Sequence, residues 1–463
     1  MLMETRKERD MLGEMRVPKD AYWGINTQRA ILNFQISGRR FPKSFITSLA
    51  KVKKACVSAN VQLGGIDEPR ANAIIQAVDE LVEEDKWLDQ FPLDVFQTGS
   101  GTQINMNMNE VLANRANEIL GHPLGTKSPV HPNDHVNMSQ SSNDVIPTAM
   151  HLCALELMDS KLLPALETLK KSLRRKTREF RGVVKVGRTH LQDAVPIRLS
   201  TEFEVYERQV QQSQLRLKNA CNELCLVPIG GTAVGTGVNA DKSFGKLAVS
   251  YLKEITGLPL KLNPVKAEGI ASHNSIAKAS SELRLLALST LKMANDIRWM
   301  GTGPRAGLGE LTLPSNEPGS SMMPGKVNPT QAEMLIQVCL QVVGNDTTIS
   351  LAEAFGSTLD LNVTKPLMIT NLIEAIELLI NGIHSFVKNC LDGLKANKEH
   401  IRSQLESNLM IATNLVPLIG YDKASEIAQT AAKTGKTIKQ VIIDANLKIK
   451  EDLDRLLDPK KMV

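Results

Sequence analysis

Aromatic residues are scarce, 4% of 463, and the net charge is only +5. The lysines are scattered among acids rather than gathered in a stripe, so neither base stacking nor phosphate tracking is favoured and no nucleic-acid partner is expected. The six cysteines (Cys56, Cys153, Cys221, Cys225, Cys339, Cys390) lack zinc or iron–sulfur spacing; Cys221 and Cys225 are four apart, not a CxxC. They read as buried thiols of a reducing compartment. The charged start METRKERD lacks a secretory apolar run, and no apolar segment looks long enough to span a membrane, so a cytoplasmic protein is expected. HExxH, Walker A and GxSxG motifs are missing, and His131 and His135 straddle Pro132, a poor frame for a helical metal pair. No metal and no cofactor are expected.

What is abundant is Ala, Leu, Ile, Met, Lys and Glu, within a 42% hydrophobic chain long enough for a large core. The fold class is mainly α. Apolar residues recur at helical spacing over Thr148 to Leu173, Leu199 to Leu224, Ser275 to Met300, Thr330 to Val343 and Pro366 to Leu394. Such lengths suggest an extended bundle, here bounded at 140–397. It is preceded by a mixed region of shorter helices and turns, 1–139, and followed by a small helical cap, 398–463.

One stretch suits no core: GSSMMPGKVNPTQAE, Gly319 to Glu333. The next ten residues, MLIQVCLQVV, are apolar on nearly every face and predict a buried helix, with Asn328 as its N-cap and Pro329 at its first position. The loop's polar groups are then expected to sit deep, beside a positive helix end and Lys326. That describes an anion site.

Three more segments share this chemistry. QTGSGTQ (97–103) places Thr98, Ser100 and Thr102 around two glycines before a helix with Ile104, Met108, Val111 and Leu112 on one face. SQSSN (139–143) precedes Pro147, and GRTHLQD (187–193) offers Thr189 and His190 before Pro196. Singly, such loops are caps and turns. Four helix starts rich in hydroxyls and amides, with one lysine and one histidine, together predict a positively biased pocket for a small dianion.

The runs TGSGTQINMNMNEVLANRA, HPND, SQSSND, GRTHLQDAVP, GGTAVGTG, GPRAG and GSSMMPGKVNPTQAE, in this order, resemble class II fumarases of the fumarase/aspartase superfamily. The start VPKDAYWGINTQRAILNFQISG and the tail LMIATNLVPLIGYDKASEIA are similar too, so the likeness covers almost the whole chain. It implies a three-domain, largely helical fold whose central bundle packs in a homotetramer, with each active site shared between subunits. It also implies reversible anti elimination of water from L-malate to give fumarate, a step of the tricarboxylic acid cycle, without metal or organic cofactor.

Residue by residue, Ser320 or its neighbour Ser321 matches the general base on a mobile loop. His190 matches the group acting through water at the departing hydroxyl, and Glu333 the acid that orients it. Ser100, Gly101, Thr102, Ser141, Ser142, Asn143, Thr189, Ser321, Lys326, Val327 and Asn328 match substrate contacts. His131, Pro132, Asn133 and Asp134 match a second, peripheral dicarboxylate site, where Met138 and His135 depart from the usual pattern. The rival within the superfamily is aspartase. Thr98, Gly99, Ser100, Glu268 and the NEPG at 316–319 resemble fumarases instead. A non-catalytic relative is the rival from another class, and the intact Ser320, Lys326, Asn328, His190 and Glu333 argue against it.

Overall fold

Helical periodicity becomes helix nearly wherever it runs long. In the computed structural model, which describes residues 4–463, Leu199–Leu224 is a single helix as its pattern predicts. The neighbouring patterns extend to Asn274–Met300 and Thr330–Gly356. Ser142–Leu157 continues through one wide π-helical turn, Met158–Leu162, into the helix Leu163–Glu179. The described residues are mainly α, with only short two-stranded sheets.

Three expectations are corrected. The residues around GRTHLQD form an antiparallel hairpin, Val184–Thr189 with Gln192–Arg198, rather than a loop feeding a helix. His190 and Leu191 make its two-residue turn with φ of 54° and 61°. Both positive angles fit the twist of a tight hairpin, although neither residue is the usual Gly or Asn. Second, one helical stretch, Lys365–Leu391, is long and apolar enough to cross a membrane, but 72% of its most apolar window is buried inside the protein. Its apolarity is that of a core helix. Third, MLIQVCLQVV is not buried all round: Leu335, Cys339 and Val342 face inward, whereas Leu340 is 58% exposed.

The chain divides into two units, and the divisions fall inside long helices. One unit comprises residues up to 163 with 215–285 and 341–379. Helices Lys43–Gln62, Glu68–Glu83, Thr102–Ile119 and Ser142–Leu157 pack there around Phe45, Leu49, Ile74, Ile104, Met108 and Ile146. Each such fully buried side chain contributes about 1.5–3 kcal/mol. Ile104, Met108, Val111 and Leu112 all lie inward, as their spacing predicts. A hairpin of Thr5–Asp10 and Gly13–Pro18, not anticipated, also belongs to this unit. The other unit comprises 164–214, 286–340 and 380–463. It contains the Val184–Arg198 hairpin and a C-terminal core built on Ile411, Leu415, Ile427, Ile438 and Ile442. All six cysteines are buried free thiols.

Candidate active site

In the first unit two loops meet. Gly99 is pressed so closely on the Val363 carbonyl that a Cβ would sit 1.5 Å from its oxygen, and its own carbonyl accepts the Lys365 amide at 3.1 Å. Gly101, with φ of +77°, then caps the helix Thr102–Ile119. These turns bring the Ser100 hydroxyl within 2.7 Å of Thr102 Oγ1, which lies 2.9 Å from Ser142 Oγ. Three hydroxyls from two helix starts therefore converge within one chain.

Ser141 caps the helix Ser142–Leu157: its Oγ accepts the Asn143 amide at 3.2 Å, while Asp144 accepts the Ser141 amide at 2.9 Å. The Asn143 carboxamide donates to the Ala233 carbonyl at 2.9 Å. The other oxygen of Asp144 receives the amides of Gly230 and Thr232, both at 2.9 Å. Burial pushes the Asp144 carboxyl up to about 6, against the pull of those amides and of Lys53. Neither Asp144 nor Lys53 is among the residues expected at the site, and GGTAVGTG supplies two of the amides that hold Asp144.

In the second unit the hairpin rests on buried charge. Glu310, with no exposed surface, pairs with Lys185 at 2.9 Å and with Arg188, and Lys185 also reaches Glu202 at 2.8 Å. Lys185 and Arg188 stand on the strand that ends at Thr189, so this network fixes the base of the turn carrying His190. Thr189 and His190 themselves are exposed.

The Gly319 to Glu333 segment also departs from expectation. Ser321 to Val327 are exposed, Met322 by 80%, because the loop folds on itself instead of entering the core. The Gly319 amide donates to the Lys326 carbonyl at 2.7 Å, and the Asn328 carboxamide donates to the Gly319 carbonyl at 2.7 Å. Asn328 is thus a clasp rather than a cap, and the first helical carbonyl is that of Pro329, which accepts the Glu333 amide at 3.1 Å. Ser320 Oγ accepts two backbone amides, from Met322 at 3.1 Å and Met323 at 2.9 Å. Glu333 is half-buried in the first helical turn. Among the described residues no hydrogen bond joins Ser320, His190 and Glu333 to one another. The four expected helix starts are thus three helix starts and a hairpin tip.

At 131–135 the chain forms a wide turn in which His131 Nδ1 accepts the amides of Asn133 and Asp134, both at 3.2 Å, and His135 Nδ1 accepts the His131 amide at 2.8 Å. Pro132 is buried, Asn133 and Asp134 exposed. Burial and the nearby Arg70 guanidinium hold His135 below the usual imidazole range.

Residues 13–344 match the family model described as lyase, and residues 411–463 match that described as fumarase C C-terminus. The chain is 48% identical over 464 positions to the mitochondrial fumarate hydratase of Rhizopus oryzae, covering 100% of this chain and 93% of that one. It is 48% identical over 462 positions to the class II fumarate hydratase of Thermus thermophilus, covering 99% and 98%. Among solved structures, the class II fumarase of Schistosoma mansoni superposes with a TM-score of 0.96 at 39% identity, over 99% of both chains.

Proposed function

The chain belongs to the class II fumarases, and we propose how its residues divide that family's chemistry. It is a lyase of the fumarate hydratase type, interconverting fumarate and malate by adding and removing water. The division of roles is our reading. The observation that carries it is the pair of amides directed at Ser320 Oγ, from Met322 and Met323. An oxygen that accepts two N–H bonds bears negative charge more readily, which favours Ser320 over Ser321, whose hydroxyl receives no such bond among the described residues.

In the dehydrating direction Ser320, as its alkoxide, takes a proton from the carbon beside one carboxylate of L-malate and becomes a neutral hydroxyl, and the electron pair passes onto that carboxylate. Lys326 and the second N–H of Asn328 stabilise the added charge, because donors fixed where charge develops lower a barrier most. The bond to the departing hydroxyl then breaks on the opposite face. Its oxygen leaves as water with a proton delivered through a solvent molecule held by His190, which Glu333 orients. Ser100, Gly101, Thr102, Ser141, Ser142, Asn143, Thr189, Ser321 and Val327 line the carboxylates, supported by the hydroxyl convergence at Ser100, Thr102 and Ser142. The turn at His131, Pro132, Asn133 and Asp134 serves as a peripheral dicarboxylate position.

This reading places the enzyme in the cytoplasm as a homotetramer of chains in three parts (1–139, 140–397, 398–463), without metal or cofactor. Two observations support shared sites. Among the described residues no hydrogen bond joins Ser320, His190 and Glu333, and the long helices expose Leu215, Trp299 and Leu340, apolar surface suited to a second copy.

The test mixes purified protein with L-malate or L-aspartate and follows the ultraviolet absorbance of fumarate. A rise with malate alone is expected. A rise only with aspartate, or with neither, overturns the reading.

A further inference from the structure

Lys53 lies on the helix Lys43–Gln62 and has no exposed surface. An ammonium so placed usually has a carboxylate against it, since an unpaired buried charge costs several kcal/mol. Here no carboxylate lies within ion-pairing distance among the described residues. Lys53 Nζ donates instead to two neutral carboxamides, Asn137 Oδ1 and Gln140 Oε1, both at 2.9 Å.

Those two residues are the root of the Ser141–Asn143 loop. Asn137 Oδ1 also accepts Asn105 and Asn109, each at 3.1 Å, from the helix that begins at Thr102. Gln140 in turn donates to the carbonyls of Val136 and Met138, both at 3.0 Å. One ammonium thus ties the helix start carrying Thr102 to the segment delivering Ser141, Ser142 and Asn143. The charges acting on it, after burial itself, are those of Cys56 and then Asp144, the partner of Ser141 in the same cap. A methionine would fill such a space at lower cost, but would hold neither carboxamide in place.

We propose that Lys53 is a positioning residue for the reaction: by clamping Asn137 and Gln140 it sets Ser141, Ser142 and Asn143 to grip a substrate carboxylate. The inference rests on the reading above that this loop binds carboxylate. It extends that reading to a residue that touches no substrate.

The test compares Lys53→Met, Gln140→Leu and Ser142→Ala in the intact oligomer, measuring kcat and KM for fumarate together with the melting temperature. Lys53→Met is expected to raise KM about tenfold, leave kcat within about threefold, and leave the melting temperature unchanged or higher, since an isosteric apolar group removes a buried charge. Gln140→Leu, which deletes one acceptor and keeps the ammonium, should raise KM by a smaller factor; it supplies the answer if Lys53→Met does not fold. A lower melting temperature with unchanged KM in both variants assigns Lys53 to stability alone and overturns the inference. Ser142→Ala separates the two layers. If it raises KM while Lys53→Met and Gln140→Leu do not, only the inference about Lys53 fails. If it leaves KM unchanged, the carboxylate reading of the loop fails first.

Discussion

The Gly319 amide donates to the Lys326 carbonyl at 2.7 Å, closing a ring of backbone around Ser320. A Cβ at Gly319 would lie 2.5 Å from that carbonyl oxygen and 2.9 Å from the Asn328 nitrogen. Gly319→Ala therefore has to open the clasp. Displacing a base by about 1 Å costs on the order of 10²-fold, so kcat should fall by about that factor. The loop is exposed, so the melting temperature should move by no more than about 2 °C. Steady-state kinetics beside a thermal melt checks both.

Glu310→Gln tests the support of the hairpin. It leaves Arg188 without its buried counter-charge and Lys185 with Glu202 alone, a loss of about 3–5 kcal/mol, which lowers the melting temperature by roughly 3–5 °C. Because the strand bearing these residues ends at Thr189, kcat should fall as well. A variant that melts like the parent would remove this network from the account.

Burial lowers Lys53 from its ordinary 10.5 to about 7, so between those values the unfolded chain binds more protons than the native one. Stability contributed by this group is complete above about 10.5 and is lost as pH falls toward 7. The groups facing it titrate elsewhere: Asp144 is held near 6, and burial pushes Cys56 far above its usual range. Urea midpoints of the parent should rise relative to those of Lys53→Met between pH 7 and 9.5, the two converging at the alkaline end. Parallel profiles would contradict the assignment.

Much of this was legible in the residues, for reasons that differ along the chain. Leu199–Leu224 carries a full-length 3.6-residue apolar pattern and forms that helix to the residue. The Ser141 cap follows from Ser, Asp144 and the apolar run behind them. The Val184–Arg198 hairpin was hidden because its turn uses His190 and Leu191, so no glycine or asparagine marks it. Lys53 is hidden in the sequence because AKVKKACV reads as a solvated lysine face, when one of its lysines has no exposed surface. The depth of the Ser320 loop was misjudged from the apolarity of the helix that follows, whose second face is exposed at Leu340. Nothing local in the residues marks that face as exposed.

In the proposed division of roles Ser320, its oxygen held by the amides of Met322 and Met323, removes the proton. The direct measurement is kcat for L-malate dehydration in Ser320→Ala and Ser321→Ala, with folding checked by thermal melts. Losing a positioned base costs about 10²–10⁴-fold. That loss is expected for Ser320→Ala and a much smaller one for Ser321→Ala. Near-full activity in Ser320→Ala, or the larger loss in Ser321→Ala, would contradict it.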